Sequence, residues 1–212
     1  MENSVPLLVF AITIMLVPFV VVSITAFVKI SVVLFLVRSA LGTQQTPPNL
    51  VLYGVTIVLS AYVMAPVFGE SVAAIQEAGV TLTNPADWTR MYDAGSGPIR
   101  EFLIRFTSEA ERIFFLEAAQ EMHSDLDTEL SMNDLFILAP AFVTAELTRA
   151  FEIGVLLYLP FVVIDIVITN ILTAMGMMMV SPMIISLPFK LLLFVAVDGW
   201  TRLTHGLVLS YI

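Results

Sequence analysis

Residues 5 to 28 carry no charged side chain. About 20 apolar residues in a helix are enough to cross a hydrocarbon layer of ~30 Å, so this run alone places the chain among membrane-type helical proteins. The composition agrees, with 58% hydrophobic residues, 13% charged and a mean hydropathy of +0.95, against roughly 45 to 50% apolar residues in a soluble domain. A cleaved secretory leader is the competing reading of the opening run. Against it, the preceding Met1-Glu2-Asn3-Ser4 is acidic, and the run outlasts the ~7 to 15 residues of a leader core. The segment is therefore read as retained.

The same helical pattern continues through Lys29 to about Val37, on the order of 50 Å at ~1.5 Å per residue. A helix of that length must bend or leave the lipid, and Pro18 is the expected kink because it lacks a donor and its ring strikes the preceding turn. Residues 38 to 49 form a connection punctuated by Gly42 and Pro47-Pro48-Asn49, with Arg38 expected to snorkel toward water. A second apolar run, 50 to 68, closes a hairpin on the first.

The net charge of −9 is confined to one stretch: residues 70 to 134 hold 13 acids and 4 Arg, whereas the five acids and five bases elsewhere cancel. The expected organisation is a 1–69 apolar helical hairpin, a 70–134 acidic helical insert, and 135–212 apolar helical hairpins. No basic stripe suited to phosphates is present, so nucleic acid is not an expected partner. Within the insert, Gly95-Ser96-Gly97-Pro98 is expected to open an amphipathic helix with Ile99, Phe102, Leu103, Phe106, Ala110 and Ile113 on one face. Ser131-Met132-Asn133-Asp134 has the chemistry of an N-terminal cap for the helix that follows.

Charges recur inside the apolar remainder. Glu146, Arg149, Glu152 and Asp165 leave charge-free stretches of only 11 residues (135 to 145) and 12 residues (153 to 164), neither sufficient to span on its own. A charge facing lipid costs at least ~2.5 to 3.5 kcal/mol, so these groups need protein partners or water. Arg149 lies three residues from Glu146 and from Glu152, and Arg202 four from Asp198, spacings that permit pairing on one helix face. Lys29, Asp165 and Lys190 have no such neighbour and must find partners across helices or across subunits. All eight residues are candidate assembly ion pairs.

Four of the eleven Met fall in Met175-Gly176-Met177-Met178-Met179, with Pro182 and Met183 close behind. Met is unbranched and polarisable, so copies arranged around an axis can close on one another and later deform around a passing chain. Ordinary core filling is the alternative. Gly176 and Pro182 let the segment leave helix.

At this level of detail a resemblance emerges. Lys29-Ile30-Ser31-Val32-Val33, Arg38-Ser39-Ala40-Leu41-Gly42-Thr43-Gln44-Gln45, Pro47-Pro48-Asn49, Ala139-Pro140-Ala141-Phe142, residues 174 to 179 and Val180-Ser181-Pro182-Met183-Ile184-Ile185-Ser186-Leu187-Pro188-Phe189-Lys190 resemble the FliP/SctR family of type III secretion export gates. The resemblance covers about residues 5 to 209. Ser39 replaces the Asn of the family's Arg-Asn-Ala-Leu-Gly, a small departure. It implies an all-helical subunit of long kinked hairpins that forms a pentamer and joins FliQ/SctS-like and FliR/SctT-like subunits and other export-gate proteins in a helical pore. The implied substrates are unfolded secreted proteins, and the implied location is the bacterial inner membrane with the core largely on its periplasmic side. By position, Met175, Met177, Met178 and Met179 match the family's pore gasket. Flagellar members of the family commonly start with a cleavable signal, which is not expected here, and Asp198-Gly199-Trp200-Thr201-Arg202-Leu203-Thr204-His205-Gly206 resembles the injectisome branch.

Other functions find less support. The chain has no Cys, and its two His, His123 and His205, are far apart, so no local metal motif is visible. H-E-x-x-H, G-x-G-x-x-G and Walker loops are missing, no cofactor is implied, and Asp165 with Asp198 is the only carboxylate pair in apolar context for intramembrane acid chemistry. A secondary transporter fits the embedded ions and helix breakers, yet no internal repeat is present. Lys29 and Arg38 near the first turn, and the few bases of the insert, place that turn inside and the insert outside by the positive-inside rule.

Overall fold

The structure is a computed structural model that describes residues 15–80, 87–122, 130–177 and 179–212. Met178, His123 and the start of the opening apolar run lie outside the described residues. Every regular element among the described residues is an α-helix. The first, α1 (Met15–Ser23), passes through Pro18, which corrects the expected kink. The break comes instead before α2 (Phe27–Leu41), and hydroxyl groups make it. Ser23 Oγ donates to the Phe19 carbonyl at 2.8 Å and Thr25 Oγ1 to the Val22 carbonyl at 3.3 Å, while Phe27 N–H donates to Thr25 Oγ1 at 3.4 Å. Side chains thus occupy the last carbonyls of one helix and cap the next.

Gly42, with φ +74°, ends α2, and its N–H donates to the Ser39 carbonyl at 3.1 Å. The next helix, α3 (Asn49–Glu77), runs well past the expected end at 68. Ser71 Oγ returns to the Val67 carbonyl at 3.0 Å, and the helix stops only at Gly79, whose φ is +62°.

The acidic segment departs furthest from expectation. Gly95-Ser96-Gly97-Pro98 does not open a helix but lies inside α4 (Asp87–Arg105). The reason is packing: a Cβ on Gly95 would stand 2.8 Å from Ile75 Cδ1, and Ser96 is buried. Small residues let α4 close on α3, which outweighs their turn preference. The predicted apolar face also breaks, because α4 ends and α5 (Glu109–Met122) begins within it. Phe102, Leu103 and Phe106 are buried, whereas Ala110 and Ile113 are exposed. Ser108 caps α5 by accepting from Glu111 N–H at 3.3 Å, half of a capping box with acids in the first turn. Ser108→Ala should cost about 1 kcal/mol of local stability, seen as faster amide exchange in the first turn of α5.

The last three helices are α6 (Leu135–Ala174), α7 (Pro182–Ala196) and α8 (Gly199–Leu209). The expected cap precedes α6: Asn133 N–H donates to Ser131 Oγ at 3.3 Å, and Asp134 Oδ2 accepts from Ser131 N–H at 2.7 Å. At 40 residues α6 is about 60 Å long and runs unbroken past Glu146, Arg149, Glu152 and Asp165. The short charge-free stretches therefore do not limit the helix, and α3 and α6 are each long and apolar enough to cross a membrane. Among the described residues, counting the bent pairs α1 with α2 and α7 with α8 as single spans raises the candidates to as many as four, by length and composition.

Two compact units form. One gathers the described residues 15–28 with Met64–Glu146. Its aromatic core sets Phe102 against Phe106 (5.0 Å between ring centroids) and against Phe142 (5.7 Å), with Leu103, Ile137, Leu138 and Ala141 fully buried or nearly so. The other unit joins Lys29–Val63 to Leu147–Ile212. Here a Cβ on Gly154 would meet Leu36 Cδ1 at 2.3 Å, so glycine permits α6 to lie directly on α2.

Candidate functional site

Two features of the second unit carry the chemistry: a buried ionic node and a methionine loop, both built on the α6–α7 hairpin. Lys190 on α7 is 4% exposed, and such burial of an ammonium needs several partners to offset desolvation. It has them. Nζ lies 2.7 Å from Asp165 Oδ2 on α6 and donates to the Ala40 carbonyl at 3.1 Å. Ser186, one turn before Lys190, donates from Oγ to Asp165 Oδ1 at 2.6 Å. The ammonium thereby sits on the carboxyl end of α2, where the helix dipole favours a cation and a late carbonyl lacks an intrahelical donor.

Of the two possibilities for Asp165 and Lys190, the structure realises the one across helices of a single chain. Ser186 and the Ala40 carbonyl were not foreseen. A serine one turn before a lysine is a faint signal, and the carbonyl lies 150 residues away in sequence.

The remaining charges are distributed as follows. Lys29 is buried, its Nζ 3.6 Å from the centroid of the Tyr211 ring, a cation–π contact favoured by desolvation. Glu146 is fully buried and Arg149 half-buried; Glu152 is exposed. Asp198 stands outside any helix, at the N-cap of α8 with φ 59°, so the i, i+4 spacing to Arg202 does not place the two on one helical face. Among the described residues neither Asp198 nor Arg202 makes a side-chain hydrogen bond or ion pair. Arg38 is half-buried, and its Nη1 donates to the Pro47 carbonyl at 3.2 Å and to Asn49 Oδ1, clamping the α2–α3 turn.

The methionine loop begins where α6 ends. Gly176 adopts φ +72°; its N–H donates to the Thr173 carbonyl at 3.0 Å, and Met177 N–H to the Leu172 carbonyl at 2.9 Å. This pair of bonds is a Schellman motif, which satisfies the last carbonyls and turns the chain out of the helix. Ser181 at the N-cap and Pro182 at the first position start α7. Between these punctuation points Met175, Met177 and Met179 are exposed, Met179 completely. Met178 lies outside the described residues. Among those residues no group of His, Asp and Glu is arranged to hold a metal ion.

The profile of the FliP family matches residues 10–207. The chain is 55% identical over 197 residues to the Yop proteins translocation protein R of Yersinia pestis, covering 92% of this chain and 91% of that protein. It is 47% identical over 211 residues to the hypersensitivity response secretion protein HrcR of Ralstonia nicotianae, covering 97% and 96% respectively. With the surface presentation of antigens protein SpaP of Salmonella typhimurium it shares 40% identity over 220 residues, covering 100% and 98%.

Proposed function

This chain belongs to the FliP family as a type III secretion export-apparatus protein of the injectisome, SctR-like kind, and on that footing we propose that it is a core subunit of a gated inner-membrane channel for unfolded secreted proteins. The observation that carries the reading is the loop between α6 and α7. Three methionines project from a segment bounded by a Schellman turn and an N-terminal proline. Exposed thioether chains on a short, firmly punctuated loop cost a lone subunit apolar surface. A ring of such loops from several copies covers that surface and closes the pore with deformable side chains. In this assembly Met175, Met177, Met178 and Met179 are the gasket. Five copies, joined by FliQ/SctS-like and FliR/SctT-like subunits, form the pore wall, and the acidic segment 70–134 faces the extracytoplasmic side. The subunit does no covalent chemistry; it holds a channel shut and admits chains.

The embedded charges serve assembly in the same scheme. The Lys190 node fixes the hairpin that presents the loop; the chain itself buries Lys29 and Glu146 and half-buries Arg149, and the exposed Glu152 is left for a neighbouring subunit to cover. Deleting residues 177 to 179 is expected to raise ion leakage through the assembled pore, measured as conductance in planar bilayers or as cell sensitivity to small solutes. Conductance equal to the unaltered complex would contradict the gasket.

A further inference from the structure

The second unit contains a cavity of about 460 Å³. Its walls are apolar, including Val37, Leu157, Phe161, Phe194, Leu203 and Leu207. One charged residue, Arg202, lines it, and that side chain is exposed with no hydrogen-bond or ion-pair partner among the described residues. Asp198, one turn away, is likewise exposed and without a side-chain partner. An apolar cavity beside two unused, opposite charges matches an amphiphile with a long hydrocarbon tail and a zwitterionic head.

We propose that this cavity binds one acyl chain of a phosphatidylethanolamine molecule, with Arg202 on the lipid phosphate and Asp198 on its ammonium. The local fold supports the assignment. The chain breaks between α7 and α8 with a bend of 59°, and the break sets Asp198 in the left-handed region. With Asp198 in that conformation the two side chains make no ion pair, and both are exposed. Trp200 at the same break meets the Phe194 ring edge-on at 5.2 Å and is 39% exposed, the amphipathic aromatic placement usual at a headgroup boundary. Gly199 keeps the wall intact, because its Cβ would lie 2.4 Å from the Phe194 ring, whereas a Cβ on Gly206 would meet nothing within 4 Å. Gly206 therefore leaves room that a larger side chain would fill. The inference rests on the chain being a membrane protein and is independent of the channel closing on methionine.

The test uses the complete complex, extracted with its partner subunits in mild detergent and examined by native mass spectrometry with added palmitoyl-oleoyl phosphatidylethanolamine or phosphatidylglycerol. The unaltered complex should retain phosphatidylethanolamine in preference to phosphatidylglycerol. Gly206→Phe should reduce retention about tenfold, equivalent to a loss of ~1.4 kcal/mol, while Gly206→Ala retains it. Arg202→Gln should lose the lipid and Arg202→Lys keep most of it; Asp198→Asn should abolish the preference between headgroups. Equal lipid content in Gly206→Phe and the unaltered complex would overturn the proposal. So would loss of a partner subunit from Gly206→Phe with lipid content unchanged, since the cavity would then be a protein interface. If Gly206→Phe fails to assemble, Arg202→Gln decides: unchanged lipid retention there also overturns it.

Discussion

Lys190→Met is expected to lower the stability of the subunit by about 2 to 3 kcal/mol and to reduce the assembled complex seen on detergent gels. The substitution removes the ammonium from the Ala40 carbonyl and strands Asp165, which keeps only Ser186 as a donor. Breaking a buried pair by removing one partner typically costs about 3 to 5 kcal/mol. The lower figure applies here because the Asp165 side chain is 39% exposed and water screens part of the loss. Asp165→Asn should be milder, since the amide still meets Ser186. The double variant should recover part of the loss of Lys190→Met, because no carboxylate is then left unpaired, and a coupling of this sign distinguishes an ion pair from two independent packing defects. Strict additivity would contradict the node, and unchanged assembly in both single variants would remove its role in the complex.

Phe142→Ala should be at least as damaging, costing about 3 to 4 kcal/mol as a large-to-small change in a closed core. Phe142 is completely buried and packs its ring 5.7 Å from that of Phe102. The loss therefore falls where α4 of the acidic segment is held to the N-terminal part of α6. Limited proteolysis should show the acidic segment cut sooner while the 147–212 portion stays protected. Phe142→Leu, which keeps most of the volume, should cost less than half as much. Equal effects of the two substitutions would argue against tight packing at this position.

Much of the fold was legible because it is written in local punctuation. Ser131 to Asp134 announced the start of α6, and Gly176 and Pro182 marked both edges of the methionine loop. The Ser108-x-x-Glu111 signature was equally available and marks the α4–α5 boundary, but the periodic apolar residues on either side of it masked the break. Other features depend on tertiary contact and have no local trace. Gly95 to Pro98 has turn chemistry, and only the approach of Ile75 makes a helix the better state. The break after α1 is set by Ser23 and Thr25, two hydroxyls in an apolar run that compete for backbone carbonyls more effectively than Pro18 disrupts them. Asp165 and Lys190 were legible as ions in need of partners. That they meet each other, with a helix end as the third member, follows from the α6–α7 hairpin packing on α2 and could not be read from spacing.

The arrangement also explains how one chain combines long apolar helices with interior charge. Lys29 lies over an aromatic ring and Lys190 caps a helix, so each cation is satisfied by protein. The hairpin that carries the methionines is thereby held together by Asp165 and Lys190.

Because the chain contains no Cys, a single Met177→Cys substitution supplies its only thiol and tests the central claim directly. In membranes holding the complete export apparatus, mild oxidation is predicted to join two copies of the chain through that position. A secreted protein stalled in transit and carrying one Cys is predicted to crosslink there too, at the expense of the copy-to-copy product. A thiol at residue 177 that joins neither another copy nor the stalled chain would contradict a methionine-lined conduit.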